Sequence, residues 1–164
     1  MTKRCLIISD MQQGFMNEHT EILIPEIREL IDKSDYPWVV ATKFFNMEES
    51  PFRTILSWDG MSTAQETRFV DGFGDGIHMF FDKTRWSCVN DQMLRFIHGN
   101  GITDIDMVGI DTESAVLQSV VGFFENNINV RVLAAFCASS KGKVRHAAAL
   151  SVLSTLIGSK NIIH

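Results

Sequence analysis

The feature that most restricts how this chain can fold is a repeated exchange between strand-sized apolar runs and longer amphipathic ones. "RCLIIS" (4–9), "PWVVATKF" (37–44), "HMFFD" (78–82), "DIDMVGI" (104–110) and "INVRVLAAF" (128–136) read as strands, with "NIIH" (161–164) as a sixth. Their near-continuous hydrophobicity is what burial on both faces of a sheet demands. Between them, "EILIPEIRELIDKS" sets Ile24, Ile27, Leu30 and Ile31 on one helical face. "VNDQMLRFIHGNG" repeats the pattern with Met93, Leu94 and Ile97 and stops at Gly99 and Gly101. "ESAVLQSVVGFFENN" and "KVRHAAALSVLSTLIG" complete the helices. Residues 46–76 hold "SPF", "SWDGMS" and "GFGDG" and predict loops with one or two short helices. Strand–helix alternation of this kind predicts an α/β fold: a three-layer α/β/α sandwich around a mostly parallel, doubly wound, Rossmann-like sheet. No linker or internal repeat divides the chain, so 1–164 reads as a single domain.

At 164 residues, 45% hydrophobic and 21% charged, the chain is long and apolar enough for one substantial core. A net charge of -5 without a clustered basic face argues against nucleic acid as a partner. The apolar runs are strand-sized, so no membrane span is expected. "MTKRCLIISD" begins like a signal peptide, but its apolar run ends at Asp10, too soon for one. Three cysteines, Cys5, Cys88 and Cys137, show no C-x-x-C spacing. That usage predicts reduced thiols in a cytoplasm.

Parallel sheets bind ligands beyond the carboxyl ends of their strands, near the point where strand order reverses. Three segments should converge there. Asp10 follows "LIIS", where a carboxylate either acts as a general base or caps the next turn. Lys83 closes "HMFFDK", either as a partner for that carboxylate or as a solvated surface residue. "GIDTESAVLQSV" (109–120) carries a strand into a helix, whose free N–H groups favour a thiolate or an oxyanion, or are merely capped.

Together these pieces resemble the isochorismatase-like cysteine hydrolases, which include nicotinamidases, N-carbamoyl amidohydrolases and isochorismatases. "LIISDMQQGF" is similar to the family's first strand with its catalytic Asp, and "FDKTRWSCV" to the segment with its catalytic Lys. "VGIDTESAVLQSVVGFFENNINVRVLAAFCAS" is similar to the nucleophile segment and the strand after it. His146 matches a histidine common in the last long helix. The resemblance covers almost the whole chain. It implies a triad in which Asp10 takes a proton from a cysteine, Lys83 supports the charge, and the thiolate attacks a carbonyl. It also implies a cis peptide at Ile110–Asp111, with the amides of Asp111 and Ala115 facing the oxyanion. No cofactor is implied. The partners implied are a small-molecule substrate and further copies of the chain, as a dimer or higher homo-oligomer, and the Ala-rich "HAAALSVLSTLIG" suits close helix packing.

One position departs from the pattern: where "T-x-x-C-V" is expected, the chain reads "TESAV", with Ala115 in the nucleophile's place. Loss of a central nucleophile costs on the order of a million-fold in rate, roughly 8 kcal/mol. Ser114, one step along the helix start, is expected to turn by about 100° away from the pocket. Cys88 and Cys137 are the other thiols near this edge. Either Ala115 is an engineered Cys→Ala change, which the retention of Asp10 and Lys83 favours, or the gene encodes an inactive relative. Ala135 and Phe136, where many members carry Asp-Ala, show divergence.

Nicotinamidases often carry an Asp-x-His metal motif after strand two. Here that region reads "ATKFFNMEESPF", which supports neither a metal site nor that assignment. It resembles instead an uncharacterised cysteine-hydrolase branch. Phe15, Phe45, Trp58 and Trp86 are expected to line an aromatic pocket. His19, His78, His98, His146 and His164 lack ligand spacing and read as surface or packing residues. The expected activity is hydrolysis of a C–N bond in a small amide, with the nucleophile missing. The alternatives are a binding or assembly module on the same pocket, and a thiol-independent ether hydrolase.

Overall fold

The computed structural model describes residues 3–164. One sheet is built from β1 (Arg4–Ser9), β2 (Trp38–Phe44), β3 (Met79–Lys83), β4 (Asp104–Gly109), β5 (Asn129–Cys137) and β6 (Ile162–Ile163). Its order is β3-β2-β1-β4-β5-β6, and every pairing is parallel. The direction of growth across the sheet therefore reverses between β1 and β4, which is where such folds place their ligands.

Among the described residues, α1 (Leu23–Lys33), α4 (Asp91–Gly99), α5 (Leu117–Glu125) and α6 (Lys143–Leu156) pack on the sheet, and α2 (Pro51–Thr54) and α3 (Ala64–Thr67) are short helices in the connection between β2 and β3. Because strand side chains alternate, β1 divides its residues between two cores. Cys5 and Ile7 pack with Met93 and Ile97 of α4 and with Val120 and Phe123 of α5. Leu6 and Ile8 pack with Leu23 and Ile27 of α1. Pro25 is tolerated in α1 because it stands in the first turn, where its missing N–H breaks no helical bond. Asn90 caps α4 by accepting the Met93 N–H at 2.9 Å.

The ends of β1 and β4 lie so close that Gly109 is obligatory. Its φ is +103°, and a Cβ there would fall 2.3 Å from the Ser9 carbonyl oxygen. Residues 46–76, where the sequence predicts loops with one or two short helices, hold α2 and α3. This excursion is tied down by two buried amides. Gln12 Nε2 donates to the carbonyls of Phe44 (3.0 Å) and Thr67 (2.8 Å), and its Oε1 accepts the Phe44 N–H. Asn46 Nδ2 donates to the carbonyls of Trp58 and Gly60, both at 2.8 Å.

α6 carries apolar side chains on its outward side as well as its inward one. It buries Ala149 and Leu153, while Val144, Val152 and Leu156 face outward. Among the described residues no helix is long and apolar enough to cross a membrane.

Candidate active site

Asp10 and Lys83 leave the sheet at the same edge, on strands separated by β2. The Lys83 ammonium reaches across β2 to Asp10 Oδ2 at 2.7 Å, passing 5.3 Å from the centre of the Phe44 ring. Its other two donors go to the carbonyls of Arg85 (3.0 Å) and Trp86 (2.8 Å), so all three ammonium N–H groups are used. Asp10 is fixed from β2 as well: Thr42 donates its hydroxyl to Oδ1 at 2.6 Å. The Asp10 backbone adopts φ 50°, a left-handed conformation that Asp tolerates better than most residues. Charges removed from water to this degree need a complete set of partners, and this pair has one.

From Gly109 the chain passes through a cis peptide at Ile110–Asp111 into a single π-helical turn, Thr112–Val116, that opens α5. The cis bond stands where the resemblance implies it. Such one-turn π segments are frequent at functional sites. The turn is anchored on the segment that follows β5. Asp111 accepts the Ser140 N–H (2.6 Å) and hydroxyl (2.8 Å), and the Ser139 hydroxyl donates to Glu113 Oε1 at 2.6 Å. Thr112 shares a hydrogen bond with His146 Nδ1 at 2.8 Å. Burial raises the Asp111 carboxyl above its usual range against the pull of Ser140. Burial also lowers the His146 imidazole, with Glu113 opposing the shift. The second Glu113 oxygen is closed off from solvent and has no protein partner.

Ala115 lies in this turn and is 2% exposed. One helical turn further on, Ser119 accepts the Cys88 N–H at 2.9 Å. That contact ties the start of α5 to the segment that runs on from Lys83.

An aromatic cleft of about 490 Å³ opens beside the start of this turn, lined by Phe15, Trp58 and Trp86 together with Asp111, Glu113 and Ser114, while Asp10, Lys83 and Ala115 are not among its lining residues. Phe15 stacks on Trp58 (6.3 Å between ring centres), and Trp58 lies 5.5 Å from Trp86. Two expectations are corrected here. Phe45 is not part of this wall: it stands beside Lys43 in a separate surface hollow with Phe69 and Phe80. Strand alternation sends its neighbour Phe44 inward instead, where that ring is fully buried and stacks parallel to Trp58 at 6.0 Å. Ser114, expected to turn away, lines the cleft, whereas Ala115 does not. Neighbouring positions on a helical turn face different ways, and in this π-helical turn it is residue 114 rather than 115 that faces the cleft.

Cys88 and Cys137 are packing thiols. Burial pushes Cys88 up to about 11 and Cys137 up to about 12, and the Cys137 thiol donates to the Met107 carbonyl. Neither forms a thiolate at neutral pH. Among the described residues no three His, Cys, Asp or Glu side chains are grouped to hold a metal ion. Sequence reasoning missed Thr42, Phe44, Ser139 and Ser140. The alternation of β2 could have found the first two; only the fold brings the serines to the turn.

The isochorismatase domain family matches residues 4–159. The chain belongs to the isochorismatase family. Solved structures agree with this on the fold. An isochorismatase-like hydrolase from Alkaliphilus metalliredigens is 16% identical and superposes with a TM-score of 0.84, over 99% of this chain and 94% of that one. PnC1 from L. infantum, in complex with nicotinate, is 16% identical with a TM-score of 0.83, over 99% and 96%. A pyrazinamidase of Pyrococcus horikoshii, in complex with zinc, is 18% identical with a TM-score of 0.80, over 98% and 97%. A comparison with curated proteins finds no match.

Proposed function

We propose that this chain is an isochorismatase-family hydrolase scaffold for the C–N bond of a small amide, with Ala115 standing where the nucleophilic cysteine belongs. The observation that carries the reading is the buried Asp10–Lys83 pair at the carboxyl edge of the sheet, where Asp10 follows β1 and the chain leading to the π turn that holds Ala115 follows its neighbour β4. With a cysteine at 115, Asp10 accepts the thiol proton and Lys83 balances the carboxylate. The sulfur adds to the amide carbon, and the oxyanion meets the amides of Asp111 and residue 115. Asp10 returns the proton to the departing nitrogen. Water then cleaves the thioester, releasing a carboxylic acid and restoring the thiol.

The test is Ala115→Cys, assayed for ammonia release over a panel of small amides. Turnover on at least one amide, with selective iodoacetamide labelling at position 115, is the expected result. A folded, inert variant overturns the reading, and so does vinyl ether cleavage by the unaltered chain.

A second reading, a naturally inactive binding protein, is favoured by the completeness of the pair's own partners. Removing one member of a buried ion pair costs about 3–5 kcal/mol. Stability alone therefore retains Asp10 and Lys83, and their presence does not require that Ala115 be engineered. This reading predicts ligand retention without turnover after the cysteine is introduced.

A further inference from the structure

The walls of the aromatic cleft account for a flat ligand, and its rim also carries two cationic side chains. Lys141 and Arg145 line it, one from the turn after β5 and one from the first turn of α6. Among the described residues neither has a carboxylate within 4.0 Å. Two acids line the same cleft, Asp111, which Lys141 attracts without forming an ion pair, and Glu113. Asp111 holds both Ser140 donors, and Glu113 holds the Ser139 hydroxyl. On a chain of net charge -5, the run Lys141, Lys143 and Arg145 is a local concentration of positive charge without an intervening acid.

We propose that the cleft selects a planar ring bearing a carboxylate, with Phe15, Trp58 and Trp86 taking the ring and Lys141 and Arg145 taking the carboxylate. The inference rests on reading this cleft as the substrate pocket. A volume of about 490 Å³ admits one substituted ring. Hydrogen bonds from an ammonium or guanidinium to a carboxylate are about twice as strong as neutral ones. Both cations are exposed, so the attraction is salt-sensitive.

The test uses the unaltered chain, so binding is measured without chemistry. Trp58 and Trp86 report occupancy by fluorescence quenching, while Trp38 packs elsewhere, against Phe96 and His78. Titration with 3-carbamoylbenzoate and with benzamide at about 20 mM salt should give at least a ten-fold lower Kd for the anion. The gap should shrink at about 500 mM salt and fall within two-fold in K141A/R145A. Equal affinity, no quenching by either probe, or a preference that survives K141A/R145A overturns the inference. These outcomes do not depend on Ala115→Cys. Turnover by that variant without an anion preference removes this inference alone, and an anion preference with an inert variant removes only the hydrolase reading.

Discussion

Lys83 and Asp10 form a 2.7 Å ion pair whose side chains are 2% and 1% exposed, with every donor of the ammonium engaged. A pair so enclosed holds the carboxyl edge of the sheet together whether or not it takes part in chemistry. Lys83→Met should lower stability by about 3–5 kcal/mol, because Asp10 is left charged and unpaired. Adding Asp10→Asn should recover part of that loss, since coupled partners are not additive. Urea unfolding of the single and double variants measures both effects.

The approach of β1 to β4 makes a sharper demand. Gly109→Ala places a methyl 2.3 Å from the Ser9 carbonyl at a positive φ. It should cost about 3 kcal/mol or more. Thermal unfolding, with the same substitution at the exposed helical Gly99 as control, checks it.

His146 sets a pH dependence. Burial lowers its folded value below the ordinary 6.5, with Glu113 raising it and His164 lowering it. The unfolded chain therefore binds a proton that the folded chain refuses. The resulting stability is complete above about pH 6.5 and declines as pH falls through the depressed folded value. Urea midpoints measured from pH 7.5 to 5.0 should fall less steeply in His146→Gln than in the unaltered chain. Identical slopes would show that the imidazole does not contribute.

The aromatic wall depends on a polar anchor. Asn46→Ala leaves the carbonyls of Trp58 and Gly60 without their side-chain donor. The expected cost is about 1–3 kcal/mol. Trp58 should also loosen, shifting the tryptophan emission to the red and weakening the binding of ring-bearing probes.

Much of this was legible in the residues. Strands buried on both faces announce themselves as unbroken apolar runs, and the observed strands match their predicted ends to within a residue. Asp10 and Lys83 were readable because each closes such a run. Phe44 and Phe45 look alike as adjacent aromatics until the pleat is assigned. The pairing of Phe44 with Lys83 assigns it. No local pattern in "TESAV" distinguishes a π turn from an α turn, so the direction in which Ser114 faces is set only by the fold. The contacts of Ser139, Ser140 and His146 with residues 111–113 span about thirty positions in the chain and exist only once β5 lies beside β4.

The 112–116 turn carries a residue more than an α-helix needs to climb the same height. Shortening it by one would let α5 run back as regular helix with its buried stripe undisturbed, yet whatever stands at 115 would swing to a new bearing. Spacing, as much as residue identity, governs what this pocket can be made to do.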